Sequence, residues 1–169
     1  MIETEISRII DELDREHGGN AWHGTPLRQI LADVDHSQAA ERPFAGGHTI
    51  WEIVLHITAW KNEVRRRIGG APAGVPAEGD WPAPAKPGAQ TWREAVDALE
   101  DAHRALVAAI ARMPETLLFA PTNDPRERET SQGVTHYVLL HGIVQHDVYH
   151  SGQIALLKKA LTQSESVTS

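Results

Sequence analysis

The sequence predicts an all-α protein, a four-helix bundle, on three observations. Apolar residues recur at intervals of three and four in four long segments. Capping residues and paired glycines bound several of those segments, and nowhere does the apolar/polar alternation of a half-buried strand persist. A chain of 169 residues is long enough for one substantial core and short for two, so one domain over residues 1–169 is expected.

The first helix is predicted over residues 2–17, where Ile2, Ile6, Ile9, Ile10 and Leu13 fall on one face and Gly18-Gly19 supplies a stop. Thr25 and Pro26 read as the N-cap and first residue of a short segment through Leu27, Ile30, Leu31 and Val34, packed as a continuation of helix one after a bend. A second main helix of about 20 residues opens at a Thr49-to-Glu52 capping box and closes at Gly69-Gly70. Residues 69–90 are rich in glycine and proline and cannot continue a helix. They are expected to form a long surface connection pinned by Trp81.

Thr91 and Glu94 suggest another capping box, opening a third main helix in which Ala95, Val96, Leu99, Ala102, Leu106, Val107 and Ile110 keep core spacing up to Pro114. "PETLLF" is expected to add one turn and "APTNDPRERETSQG" to form a polar loop. Val134 to about Leu161 is the fourth main helix. Bundles of this kind build their sites from side chains projecting inward from facing helices.

Composition narrows the chemistry. The formal charge of −7 gives no general attraction for nucleic-acid phosphates or anionic lipid, so neither nucleic acid nor membrane is an expected partner. With no cysteine, there is no disulfide, thiolate ligand or cysteine nucleophile, and any metal must be held by nitrogen and oxygen. The N-terminal stretch scatters carboxylates among its apolar residues, unlike a signal peptide, and no run of about 18 apolar residues occurs. A soluble, cytoplasmic protein is the expectation.

The fourth helix contains "QHDVYHSGQIALL". At about 100° per residue, His146 and His150 stand roughly 40° apart and one turn up, and Leu139, Ile143 and Leu157 fall near the same azimuth. Two rings on a core-facing side, with no acid on that side, are costly to bury without a shared partner. Gly142, one turn earlier, leaves room for a ligand, and Gln153, one turn later, offers an amide to orient a ring.

In the second main helix His56 lies within the stripe Ile53, Ile57, Trp60 and Val64 and is the natural third ligand. Three neutral imidazoles leave a coordination position open, as in catalytic sites, and suit Zn or Ni without choosing between them. Taken alone, a single histidine such as His56 is more often a hydrogen-bonded core residue. His17, His23, His36, His48, His103, His136 and His141 carry no ligand pattern. Glu52, one turn before His56, and Asp147, beside His146, are the visible candidates for proton transfer, each also readable as helix charge. Asp147 points about 100° away from its neighbour and is equally suited to orienting a ring.

"IWEIVLHITAW" and "HGIVQHDVYHSGQIALLKKA" resemble the DinB-like (DinB/YfiT) superfamily of bacterial four-helix-bundle metalloproteins. The resemblance implies an up-down-down-up bundle, a metal triad of His56, His146 and His150 binding Zn or Ni, and homodimers. Relatives include thiol-dependent S-transferases, mycothiol-using maleylpyruvate isomerases and metal-dependent hydrolases. A metal-dependent transferase using a low-molecular-weight thiol, or a hydrolase, acting on a small molecule is therefore the leading functional expectation.

Two alternatives stand beside it. One is a non-catalytic, stress-related helical module with a structural or vacant metal site. The other is a zinc protease, since "HDVYH" outlines H-E-x-x-H with Asp in place of Glu, although Asp is short for that role and no downstream helix adds a third ligand.

Overall fold

A computed structural model describes residues 4–84, 86–124 and 134–167, with side chains as far as residue 162. Six α-helices occur among them: α1 (Glu5–His17), α2 (Leu27–Leu31), α3 (His36–Ala40), α4 (Ile50–Ile68), α5 (Ala89–Ala111) and α6 (His136–Val167). A 3-10 turn at Glu115–Leu117 supplies the extra turn expected in "PETLLF". No strand forms among the described residues, and the nearest approach is one isolated bridge between Pro121 and Thr135. The polar loop expected at residues 120–133 lies mostly outside the described residues.

Local signals set most helix ends. Thr49 accepts from the Glu52 amide and Glu52 returns to the Thr49 amide, so α4 starts at the expected capping box and ends at Gly69. The α1 helix stops at Gly18 and starts from a Thr4/Ser7 capping pair absent from the expectation.

Three expected details differ. The α2 helix has Pro26, not Thr25, as its N-cap and ends at Leu31, so Val34 is buried but lies outside it. A separate helix, α3, begins at an Asp35 cap that holds the Ser37 and Gln38 amides. Thr91 does not cap α5: the N-cap is Gly88, three residues earlier, and the Thr91 hydroxyl donates back to the Gly88 carbonyl.

Helix directions follow from the contacts. Glu5 meets Glu115 and Asp14 meets His103, so α1 and α5 run antiparallel. Glu5 lies near His141 and Glu16 near Ser151, which makes α1 and α6 parallel. Trp51 meets Trp92 with tilted rings, and Val64 shares a core with Leu106 and Ile110, so α4 and α5 are parallel. His56 meets His150 while Val64 lies beside Leu139, so α4 runs against α6. The order is up-down-down-up.

Two parallel consecutive helices require a return path as long as the helix, about 28 Å for the 19 residues of α4. Residues 69–88 provide it.

The core falls into two apolar clusters. One gathers Leu27, Ile30 and Val34 with Ile50, Ile53, Trp92, Ile154 and Leu161. The other gathers Ile9 and Leu13 with Leu106, Ile110, Leu140 and Ile143. The α2 and α3 segments close the first end, α2 packing on α6 as well as on α1, and α3 on α4 and α5. The Trp92 indole donates to the Val34 carbonyl at 2.8 Å, and Lys158 Nζ donates to the Ile30 carbonyl at 3.0 Å.

Candidate metal centre

The antiparallel register of α4 and α6 sets His56 opposite His146 and His150. One ring nitrogen from each lies within 4.8 Å of the others. The ring centroids are 4.9, 4.7 and 4.5 Å apart for the three pairs, and His56 Nε2 is 2.9 Å from His146 Nε2. Gln153, the amide expected to orient a ring, faces His150.

Each ring meets an oxygen at its outer nitrogen. His56 Nδ1 donates to the Asp80 carbonyl at 2.5 Å, and His150 Nδ1 donates to Gln153 Oε1 at 2.7 Å. His146 Nδ1 faces Asp147 Oδ1 at 3.5 Å, an ion-pair distance, and neither atom makes a hydrogen bond among the described residues. Protons held on Nδ1 leave the Nε2 lone pairs pointing at one another. Two ring nitrogens 2.9 Å apart need a proton or a cation between their lone pairs, and with three nitrogens converging the donor set fits a divalent metal. Burial, the largest influence, lowers the pKa of His56 and takes that of His150 down to about 4, keeping both rings neutral as ligation requires.

The Pro/Gly-rich connection forms part of this site. Besides the Asp80 carbonyl on His56, Asp80 Oδ1 accepts from the Trp60 indole at 2.8 Å. Trp81 stacks on His56 at 3.9 Å and on His48 at 3.5 Å, lying between the two rings. The expectation that Trp81 pins the connection is met, and the surface it pins to is His56. A backbone carbonyl acting as orienting group leaves no trace in residue identity, which is why Asp80 was not legible in the sequence.

The two proton-transfer candidates are placed differently. Glu52 is committed to the Thr49 amide and to Arg42, whose Nη2 is 2.7 Å away. Burial works against its charge, but those partners prevail and hold its pKa below the ordinary value. Asp147 is fully buried, is paired through Oδ2 with Lys61, and turns Oδ1 to the outer side of His146. An acid on the outer nitrogen orients the ring and does not face the space between the three inner nitrogens, unlike the general base of a zinc protease.

Asp147 also belongs to a buried polar layer that the sequence reading did not anticipate. Lys61, Asp147, Glu16 and Ser151 are each at most 2% exposed. The Ser151 hydroxyl donates to Glu16 Oε1 at 2.6 Å, and His17 stacks on His103 at 3.9 Å. Burial and then the Asp147 charge push the Glu16 carboxyl up to about 7. Burial and then Lys61 lower both His17 and His103 to about 4. Burial disfavours the Asp147 carboxylate, yet Lys61 outweighs it and the pKa lies below the usual range. The available signal was Lys61 itself, a cation on the apolar stripe of α4.

Access to the three histidines is uneven. The His146 side chain is 25% exposed and that of His56 only 6%. A cleft of about 370 Å³ between α4 and α6 reaches His146, whereas a groove of about 740 Å³ between α2 and α6 touches none of the three.

A helical bundle with three convergent, outwardly braced imidazoles defines the class of a candidate metalloprotein. A family model of the DinB superfamily matches residues 21–154, and the chain belongs to that superfamily. No curated protein and no solved structure matches it. Among the described residues, no helix is long and apolar enough to cross a membrane.

Proposed function

We propose that this protein is a metal-dependent enzyme acting on a small molecule, as a transferase using a low-molecular-weight thiol or as a hydrolase. The observation that carries the reading is the convergence of one ring nitrogen from each of three histidines, with the oxygens that face their Nδ1 atoms outside the cluster. A Zn or Ni ion in this position supplies a Lewis acid with an open coordination position. The chain's own part is to hold the three rings in one tautomer, to cover His56 with Trp81, and to leave the edge of His146 open to solvent. No carboxylate among the described residues enters the cluster, so the full charge of a divalent ion is available to polarise a substrate oxygen or sulfur.

Elemental analysis of untagged protein purified without added metal tests the reading, together with His56→Ala and His150→Ala. Near-stoichiometric Zn or Ni in the wild type, lost in both variants, is expected. A wild-type protein that holds no metal and refuses added Zn and Ni would leave a non-catalytic helical module.

A further inference from the structure

The cleft that reaches His146 says what kind of molecule the centre receives. Its walls are Trp60 and Val64 of α4 with Val138, Leu139, Gly142 and Ile143 of α6, and His146 is its only titratable lining residue among those described. A volume of about 370 Å³ sits at the lower end of small-molecule pockets, which run from roughly 300 to 1,000 Å³.

Gly142 of α6 lines this cleft. A Cβ added there meets no atom within 4 Å, and the residue lies on the exposed side of the helix one turn before His146. Helix packing therefore does not call for a glycine here, and a glycine in a helix interior carries a cost that alanine avoids. The missing side chain opens the apolar cleft beside the one ring of the three that is accessible.

We infer that the ligand of this centre is a small molecule with an aryl or branched-alkyl body seated against Trp60, Val64 and Gly142, and with a single polar, metal-seeking end at His146. The inference rests on the reading of the three histidines as a metal centre. An apolar lining rewards burial of a hydrocarbon body and penalises a charged one, because a charge in the cleft would lose water without gaining a partner among the described residues. Gly142 is thus a specificity-determining position: any larger side chain occupies the volume that the ligand body needs.

The test compares acetohydroxamate and benzohydroxamate, chelators that share a metal-binding head and differ in the body, by titration calorimetry on Zn-loaded protein. The wild type is expected to bind benzohydroxamate at least about tenfold more tightly, the factor that partial burial of a phenyl ring supplies. In Gly142→Leu the ratio is expected to fall to about one, and in Gly142→Ala to an intermediate value, which covers the case in which the leucine variant misfolds. Equal affinity of the two probes in the wild type, with acetohydroxamate bound, overturns the inference alone, as does a preference that survives in Gly142→Leu. Failure of both probes to bind, or of the protein to take up Zn, overturns the metal-centre reading and this inference with it. A change of oligomeric state in Gly142→Leu, read by sedimentation, would assign the cleft to an interface between copies and also overturn it.

Discussion

The histidine trio and the buried layer around Lys61 both take ionisable side chains from α4 and α6, yet they handle polarity in opposite ways. In the layer the charges answer one another: Lys61 pairs with Asp147, and Ser151 donates to Glu16. In the trio the outer nitrogens face Asp80, Asp147 and Gln153, while the inner nitrogens face a shared point with no anion among the described residues there. A largely paired set of charges holds a fold together even with Glu16 Oε2 left over, whereas an open set of lone pairs waits for a ligand. Asp147 belongs to both, with one oxygen on each side.

Breaking the layer should have the largest effect. Lys61→Met leaves Asp147 buried and unpaired, and urea denaturation is expected to show a loss of about 3–5 kcal/mol. The double variant Lys61→Met/Asp147→Leu should recover most of that stability but not full metal affinity, since the contact behind His146 is gone. Joint recovery of both would show that Asp147 does not link the two regions.

At the trio the effect should move from stability to affinity. Gln153→Ala frees the His150 ring and is expected to weaken Zn binding by about 10- to 100-fold in competition with a chelator. The unfolding midpoint of the metal-free protein should change little, and a large shift would place Gln153 with the structural layer instead.

The pH dependence sharpens the contrast within the layer. The pKa of Glu16 is raised to about 7 on folding, so the folded state binds the extra proton and this residue's contribution is lost as pH rises from about 4.5 through 7. His17 and His103 are lowered to about 4, so their contribution is lost as pH falls from about 6.5 through 4. Glu16→Gln should therefore gain stability relative to the wild type between pH 5 and pH 8, measured by denaturation at both. A difference independent of pH would mean that Glu16 is charged throughout.

The smallest expected effect lies at the edge of the trio. Gly142→Ala adds a methyl group that meets nothing and removes a helical glycine, for a gain of about 0.5–1 kcal/mol in thermal or chemical unfolding. A loss would show that the position needs glycine for packing.

The sequence by itself determined the four main helices, because their ends are marked by short-range chemistry: the Thr49/Glu52 box, the glycines at 18 and 69, and apolar spacing between them. It also determined that His146 and His150 share a face, since four residues on one helix is a local relation. It misplaced the start of α5 at Thr91 and passed over α3, where a cap competes with neighbours of similar propensity and tertiary packing decides.

Only the tertiary structure decided that residues 69–88 run back along the bundle and lay the Trp81 ring and the Asp80 carbonyl on His56, the latter contact spanning 24 residues and made by backbone rather than by side-chain type. It alone decided that Lys61 meets Asp147 and that Glu16 meets Ser151, across sequence separations of 86 and 135. Helical periodicity states which side of a helix is buried. Which residue stands opposite depends on how far two helices slide past each other, and that register is set by the packing of the whole core.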